Sequence, residues 1–151
     1  MSDSAAAEAP LRVGIAGLGT VGSALIRIIG NDQADIVRKL GRQVVVTAVS
    51  ARSRSRDRGV DISGMTWFDD PVALARDGEI DLFVELIGGE DGPAYAAVRA
   101  ALERGCPVVT ANKALLARHG VALARLAEET EAQLGFEAAV AGGIPVIKTL
   151  R

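Results

Sequence analysis

The sequence predicts an α/β fold, with a doubly wound, mostly parallel sheet covered by helices on both faces. Three observations carry that prediction. Apolar, strand-like runs alternate with helical patterns along the 151 residues. The run Leu11-Arg12-Val13-Gly14-Ile15-Ala16-Gly17-Leu18-Gly19-Thr20-Val21-Gly22 passes from an apolar strand pattern straight into three glycines spaced G-x-G-x-x-G. Hydrophobic residues make up 49% and charged residues 24% of the chain, which supplies one core of about domain size.

Taken in order, the first strand covers 12–16 and feeds a helix over 20–29, whose apolar stripe is Val21, Ala24, Leu25, Ile28 and Ile29. A second helical stretch over 32–40 stops at Gly41. Strands follow at 44–50, 65–68, 82–86, 107–110 and 134–137. Helices are expected over 71–76, 93–104, 115–118 and 121–133, with His119 and Gly120 ending the third of these. Right-handed crossovers then wind the sheet in both directions, so ligands collect beyond the carboxyl ends of the strands. Residues 1–10 read as a flexible tail, small and polar.

Several functional classes fall away on composition. A formal net charge of −2 argues against nucleic acid as a partner. No apolar run approaches the roughly 20 residues needed to span a bilayer. The first ten residues lack a basic stretch followed by an apolar one, so no secretory signal is read there and a cytoplasmic location is expected. Cys106 is the single cysteine and His119 the single histidine, which excludes an internal disulfide and a thiolate-imidazole zinc cluster. Cys106 reads as a core or rim thiol, and Trp67 and Phe68 as strand packing.

The loops after the strands carry the candidate site. Gly17 permits a tight turn, Gly19 lets backbone approach a pyrophosphate, and Gly22 lets the helix pack on the strand. The unpaired N–H groups and positive dipole end of that helix face the phosphates. This is the pattern of a Rossmann-type dinucleotide-binding domain, placed over residues 11–140. After the second strand comes Ser50-Ala51-Arg52-Ser53-Arg54-Ser55-Arg56-Asp57-Arg58, with no acid at the position next to the strand where ribose hydroxyls would be held. Arg52 first and Arg54 second are candidates to clamp a 2′-phosphate, which points to NADP or to tolerance of both cofactors. A solvated basic loop is the equal alternative. After the fourth strand, Glu85 interrupts an apolar run ahead of Ile87, Gly88 and Gly89, where backbone could approach a nicotinamide ribose. The alternative is a plain glycine turn with Glu85 paired or solvated at the rim. After the fifth strand, Lys113 is either a fixed positive charge for a developing alkoxide or carboxylate, or a surface lysine at a helix start.

Four blocks in this order resemble homoserine dehydrogenase: the stretch 13–22, Val84-Glu85-Leu86-Ile87-Gly88-Gly89, the stretch 109–117 around Asn112-Lys113, and Phe136-Glu137-Ala138-Ala139-Val140-Ala141-Gly142-Gly143-Ile144-Pro145. The resemblance covers nearly the whole chain after the tail. It implies NAD(P)H-dependent, reversible reduction of aspartate 4-semialdehyde to L-homoserine, on the route from aspartate to threonine and methionine, in a homo-oligomer with a second, substrate-binding domain. It places cofactor contacts on Gly17, Gly19, Thr20, Val21, Gly22, Ile87, Gly88 and Lys113, with Lys113 also bordering the substrate. It further implies a monovalent cation such as sodium at Glu137, Val140, Gly142 and Ile144. Residues 141–151 then begin a connection to a substrate domain absent from this chain, and the chain by itself is expected to be inactive. Apolar surface around Ile144, Val146, Ile147 and Leu150 is expected to favour self-association. A dinucleotide-binding or sensor module without catalysis, and another amino-acid-pathway reductase, are the alternatives.

Overall fold

The computed structural model describes residues 8–136. Six strands form one sheet: β1 (Leu11–Ala16), β2 (Val44–Ser50), β3 (Thr66–Phe68), β4 (Leu82–Glu85), β5 (Val108–Thr110) and β6 (Leu134–Gly135). Their order is β3-β2-β1-β4-β5-β6, and every pairing is parallel. The helices are α1 (Thr20–Asn31), α2 (Gln33–Leu40), α3 (Pro71–Asp77), α4 (Pro93–Glu103) and α5 (Lys113–Glu129). The expected doubly wound fold is the observed one.

Two cores sandwich the sheet, and the period-two alternation of the strands divides side chains between them. Val13, Ile15, Val49, Leu82 and Val84 pack beneath α1 and α2 with Ile26, Ile29 and Ile36. Ala16, Phe83 and Val108 turn the other way, onto Leu74, Ala97, Val98, Leu102, Leu115 and Leu123 of α3, α4 and α5. Gly14 shares that second face because α3 lies too close for a side chain. A methyl there would come within 2.8 Å of Leu74 and Ile80.

Most boundaries fall within one or two residues of expectation, and one change is larger. The pair of helices expected over 115–118 and 121–133 is a single α5, which runs straight through His119 and Gly120. Asn112 caps it by accepting from the Leu115 N–H at 3.1 Å, and Leu115, Leu123 and Ala127 form one continuous buried stripe. That packing outweighs the cost of about 1 kcal/mol for an internal glycine. The last strand is shorter than expected, Leu134–Gly135. Glu137, Val140, Gly142 and Ile144, the connection at 141–151 and the apolar Ile144, Val146, Ile147 and Leu150 lie outside the described residues, as do residues 1–7.

The register brings the strand ends level. Phe68 pairs with Ser50, Ser50 and Glu85 both pair with Ala16, and Thr110 pairs with Glu85. Chain connections leave β1 on one side and β4 on the other, so a crevice opens above that junction.

Candidate functional site

A cleft of about 800 Å³ occupies that crevice. Three loops converge on it: Gly17, Leu18 and Gly19 after β1; Ser50 to Ser53, with Arg56 and Arg58, after β2; and Leu86 to Gly89, with Asp91, after β4.

The glycines divide the work of the first loop. Gly17 adopts φ +104°, and any Cβ there would overlap the Leu86 carbonyl. A Cβ at Gly22 would overlap the Gly17 carbonyl, so Gly22 allows α1 to begin against the turn. Gly19 differs from both. It has an ordinary φ of −79°, and a Cβ there would meet no protein atom within 4 Å. Its missing side chain therefore leaves open space in the cleft. Gly19 is also the N-cap of α1 and brings no capping side chain, and the first turn holds no acid. Its first-turn N–H groups and dipole are left to an anion. Opening, volume and donor set together fit the diphosphate of a dinucleotide.

The second loop is basic, and the structure sorts its arginines. Arg52 lines the cleft, as do Arg56 and Arg58, whereas Arg54 does not. Among the described residues neither Arg52 nor Arg56 has an ion-pair partner. Arg58 is committed elsewhere. Its guanidinium donates to the Leu18 carbonyl at 3.1 Å, the Arg56 carbonyl at 2.9 Å and the Ser53 carbonyl at 2.5 Å. It also stands 5.8 Å from the centre of the Trp67 ring. Arg58 thus ties the arginine loop to the glycine turn. Sequence reasoning passed it over, because its partner Leu18 lies 40 positions away.

Glu85 is fully buried at the end of β4, and its carboxylate is fully engaged. One oxygen accepts from the backbone N–H of Ile87 at 2.7 Å and of Gly88 at 3.0 Å. The other accepts from the Thr110 hydroxyl at 2.6 Å. The Thr110 oxygen in turn accepts from the Asn112 N–H at 3.1 Å, and the Asn112 amide donates to the Gly89 carbonyl at 2.6 Å. The turn after β4 and the end of β5 are therefore one hydrogen-bonded unit. Of the two readings left open for Glu85, the paired one holds, but deep in the protein and not at the rim.

Thr20 and Val21 are exposed in the first turn of α1. Lys113 is exposed as the first residue of α5 and is not among the residues lining the cleft. His119 stacks on Tyr95 with ring centres 4.1 Å apart and bonds Asp91 at 2.7 Å, while Arg118 reaches Glu90 at 2.8 Å and Asp91 at 3.1 Å. That cluster pins the Glu90–Asp91 loop to α5. Cys106 is buried at the opposite end of the sheet, and burial raises its thiol pKa, as suits an inert core thiol. No group of three or more metal-ligating side chains occurs among the described residues, and no helix there is long and apolar enough to cross a membrane.

Known proteins place this architecture. A family model described as homoserine dehydrogenase, NAD binding domain, matches residues 17–137. The homoserine dehydrogenase of Mycobacterium bovis is 45% identical over 143 residues, covering 95% of this chain and 32% of its own length. The crystal structure of a homoserine dehydrogenase from Thiobacillus denitrificans superposes with a TM-score of 0.82 at 38% identity, over 93% of this chain and 32% of that one. A hyperthermophilic archaeal homoserine dehydrogenase in complex with NADPH gives a TM-score of 0.72 at 27% identity, over 95% of this chain and 48% of its own. The chain spans about a third of the length of the curated relatives it matches.

Proposed function

The chain belongs to the homoserine dehydrogenase family through its NAD-binding domain, and on that premise we propose that it is the cofactor-holding part of an enzyme that reversibly reduces aspartate 4-semialdehyde to L-homoserine. NADPH is the proposed reductant, with NADH tolerated. Residues 11–140 serve as the cofactor domain and 141–151 lead to a substrate domain, within a cytoplasmic homo-oligomer. One observation supports this most: the open space at Gly19, in front of an uncapped helix N-terminus, at the meeting of three strand-end loops.

When bound, the nicotinamide supplies or accepts the hydride. This chain's own residues bind and orient it. The first-turn N–H groups of α1 hold the diphosphate, while Arg52, with Arg56 beside it, meets the 2′-phosphate through a planar fork of donors. Gly88 and Gly89, with φ of +86° and +85°, bring bare backbone to the nicotinamide half. Lys113, the first residue of α5, is the proposed charge on the substrate side. The archaeal relative's NADPH and the absence of an acid at the end of β2, where Ser50, Ala51 and Arg52 stand, both favour NADP.

Calorimetric titration of the chain with NADPH and NADH tests this reading. NADPH is expected to bind more tightly, and Arg52→Ala to weaken NADPH by about tenfold while sparing NADH. Absence of binding by either would overturn it. The same titrations followed by an activity assay separate a catalytic from a binding-only role.

A further inference from the structure

Glu85 is the buried charge that the binding scheme leaves unused. It is 0% exposed, and among the described residues it has no cationic partner. Each protein group that reaches it is a donor: two backbone N–H groups and one hydroxyl. The Thr110 hydroxyl gives its proton to Glu85 while its oxygen accepts from the Asn112 N–H. Three donors converging on one side chain suit the acceptor-only carboxylate. Such a site fixes a full negative charge immediately below the Ile87–Gly88 backbone that lines the cleft.

Position decides what that charge acts on. In a doubly wound sheet of this order, the β1–β3 half holds one mononucleotide and the β4–β6 half the other. With the arginine loop on the first half, the nicotinamide falls to the second, above the end of β4. Resting on the proposed cofactor assignment, we infer that Glu85 sets the preference between the two redox states of the dinucleotide. An oxidised nicotinamide ring carries a positive charge and the reduced ring carries none. The carboxylate therefore attracts the oxidised form selectively, through backbone and without touching it, while the same hydrogen bonds hold the turn for both forms. Glu85 is a positioning and specificity residue in this account, not a catalytic one.

The test is the ratio of dissociation constants for NADP⁺ and NADPH, measured on the chain. In Glu85→Gln one acceptor oxygen remains for the two N–H groups, and the Thr110 oxygen can turn to accept from the new amide. The charge is lost, together with the acceptor for the Thr110 hydroxyl, a loss that Thr110→Val reproduces without touching the charge. The NADP⁺-to-NADPH ratio should rise about fivefold, mostly through weaker NADP⁺ binding, the size expected of one unit charge acting across a partly wet cleft. Thr110→Val removes a hydrogen bond from the same carboxylate and keeps the charge, so it should weaken both forms together and leave the ratio within twofold. A purely structural Glu85 would make the two variants behave alike. An unchanged ratio in Glu85→Gln, with both forms still bound, overturns the inference and leaves the cofactor assignment standing. Failure of the wild-type chain to bind either form overturns both. Should Glu85→Gln not fold, the ¹³C carboxyl resonance of Glu85 in the wild-type chain decides: an ionised carboxylate near neutral pH that shifts with NADP⁺ more than with NADPH supports the role, and a protonated carboxyl overturns it.

Discussion

On the β1–β2 side of the cleft the loops are fastened by a cation, Arg58, which gives hydrogen bonds to three backbone carbonyls. On the β4–β5 side they are fastened by an anion, Glu85, which accepts from two backbone N–H groups and a hydroxyl. The solutions mirror each other in charge and differ in depth. Arg58 is half-buried, so water can satisfy the carbonyls it leaves. Glu85 is fully enclosed, and nothing can replace it. One side of the crevice is accordingly a surface loop that can be retuned at little cost. The other is part of the core.

The sharpest way to break this contrast is Glu85→Ala, which strands two N–H groups and a hydroxyl in the interior. It should cost about 3 kcal/mol, seen as a lower denaturant midpoint at constant slope. A cost below about 1 kcal/mol would show that the anionic fastening is no deeper than the cationic one.

Gly19→Ala should cost binding in place of stability. The methyl meets no protein atom and the backbone φ suits alanine, so the melting temperature should hold within a degree or two while NADPH affinity falls about thirtyfold. Loss of stability with affinity intact would mean that Gly19 serves the fold and not the ligand. Arg58→Met keeps the length and apolar contact of the side chain but removes the donors. It should cost about 1 kcal/mol and weaken NADPH more than NADH, by loosening the loop that carries Arg52. Equal weakening of both dinucleotides would detach Arg58 from 2′-phosphate recognition.

The smallest effect belongs outside the cleft. Asp81 receives the Arg12 guanidinium at 3.0 and 3.1 Å and the Arg12 backbone N–H at 2.9 Å, and these hydrogen bonds hold its carboxyl below the ordinary aspartate value. A carboxyl lowered on folding adds stability that is complete above its unfolded value, near 4, and is lost as pH falls through the folded one. Both side chains are more than a third exposed, so the contribution should stay under about 1 kcal/mol. Asp81→Asn should flatten the acid limb of stability against pH by that much and leave neutral-pH NADPH binding unchanged.

How much of this was legible in the sequence follows from the range of each constraint. The glycine turn could be read residue by residue, because Gly17, Gly19 and Gly22 answer to backbone geometry within six positions. The arginine loop could be read as basic, but not which arginine does what. Arg54 is not among the residues lining the cleft, and Arg58 is claimed by Leu18, a contact 40 positions distant. Glu85 stood out as a charge in an apolar strand, while its partner Thr110 lies 25 positions on and emerges only from the β4–β5 register. Gly120 misled as a helix stop, since the buried stripe through Leu115, Leu123 and Ala127 outweighs one glycine. With α5 continuous, His119 becomes a partner of Tyr95 and Asp91 and not a helix end.

The most direct measurement is an amide ¹H–¹⁵N NMR titration of the chain with NADPH. Binding across the crevice should shift Gly19, Thr20 and Val21 at the helix mouth, Arg52 on the basic loop and Ile87 to Gly89 above Glu85, all with one dissociation constant. Shifts confined to the opposite end of the sheet, around Arg12, Asp81 and Cys106, or no shifts at all, would contradict the account.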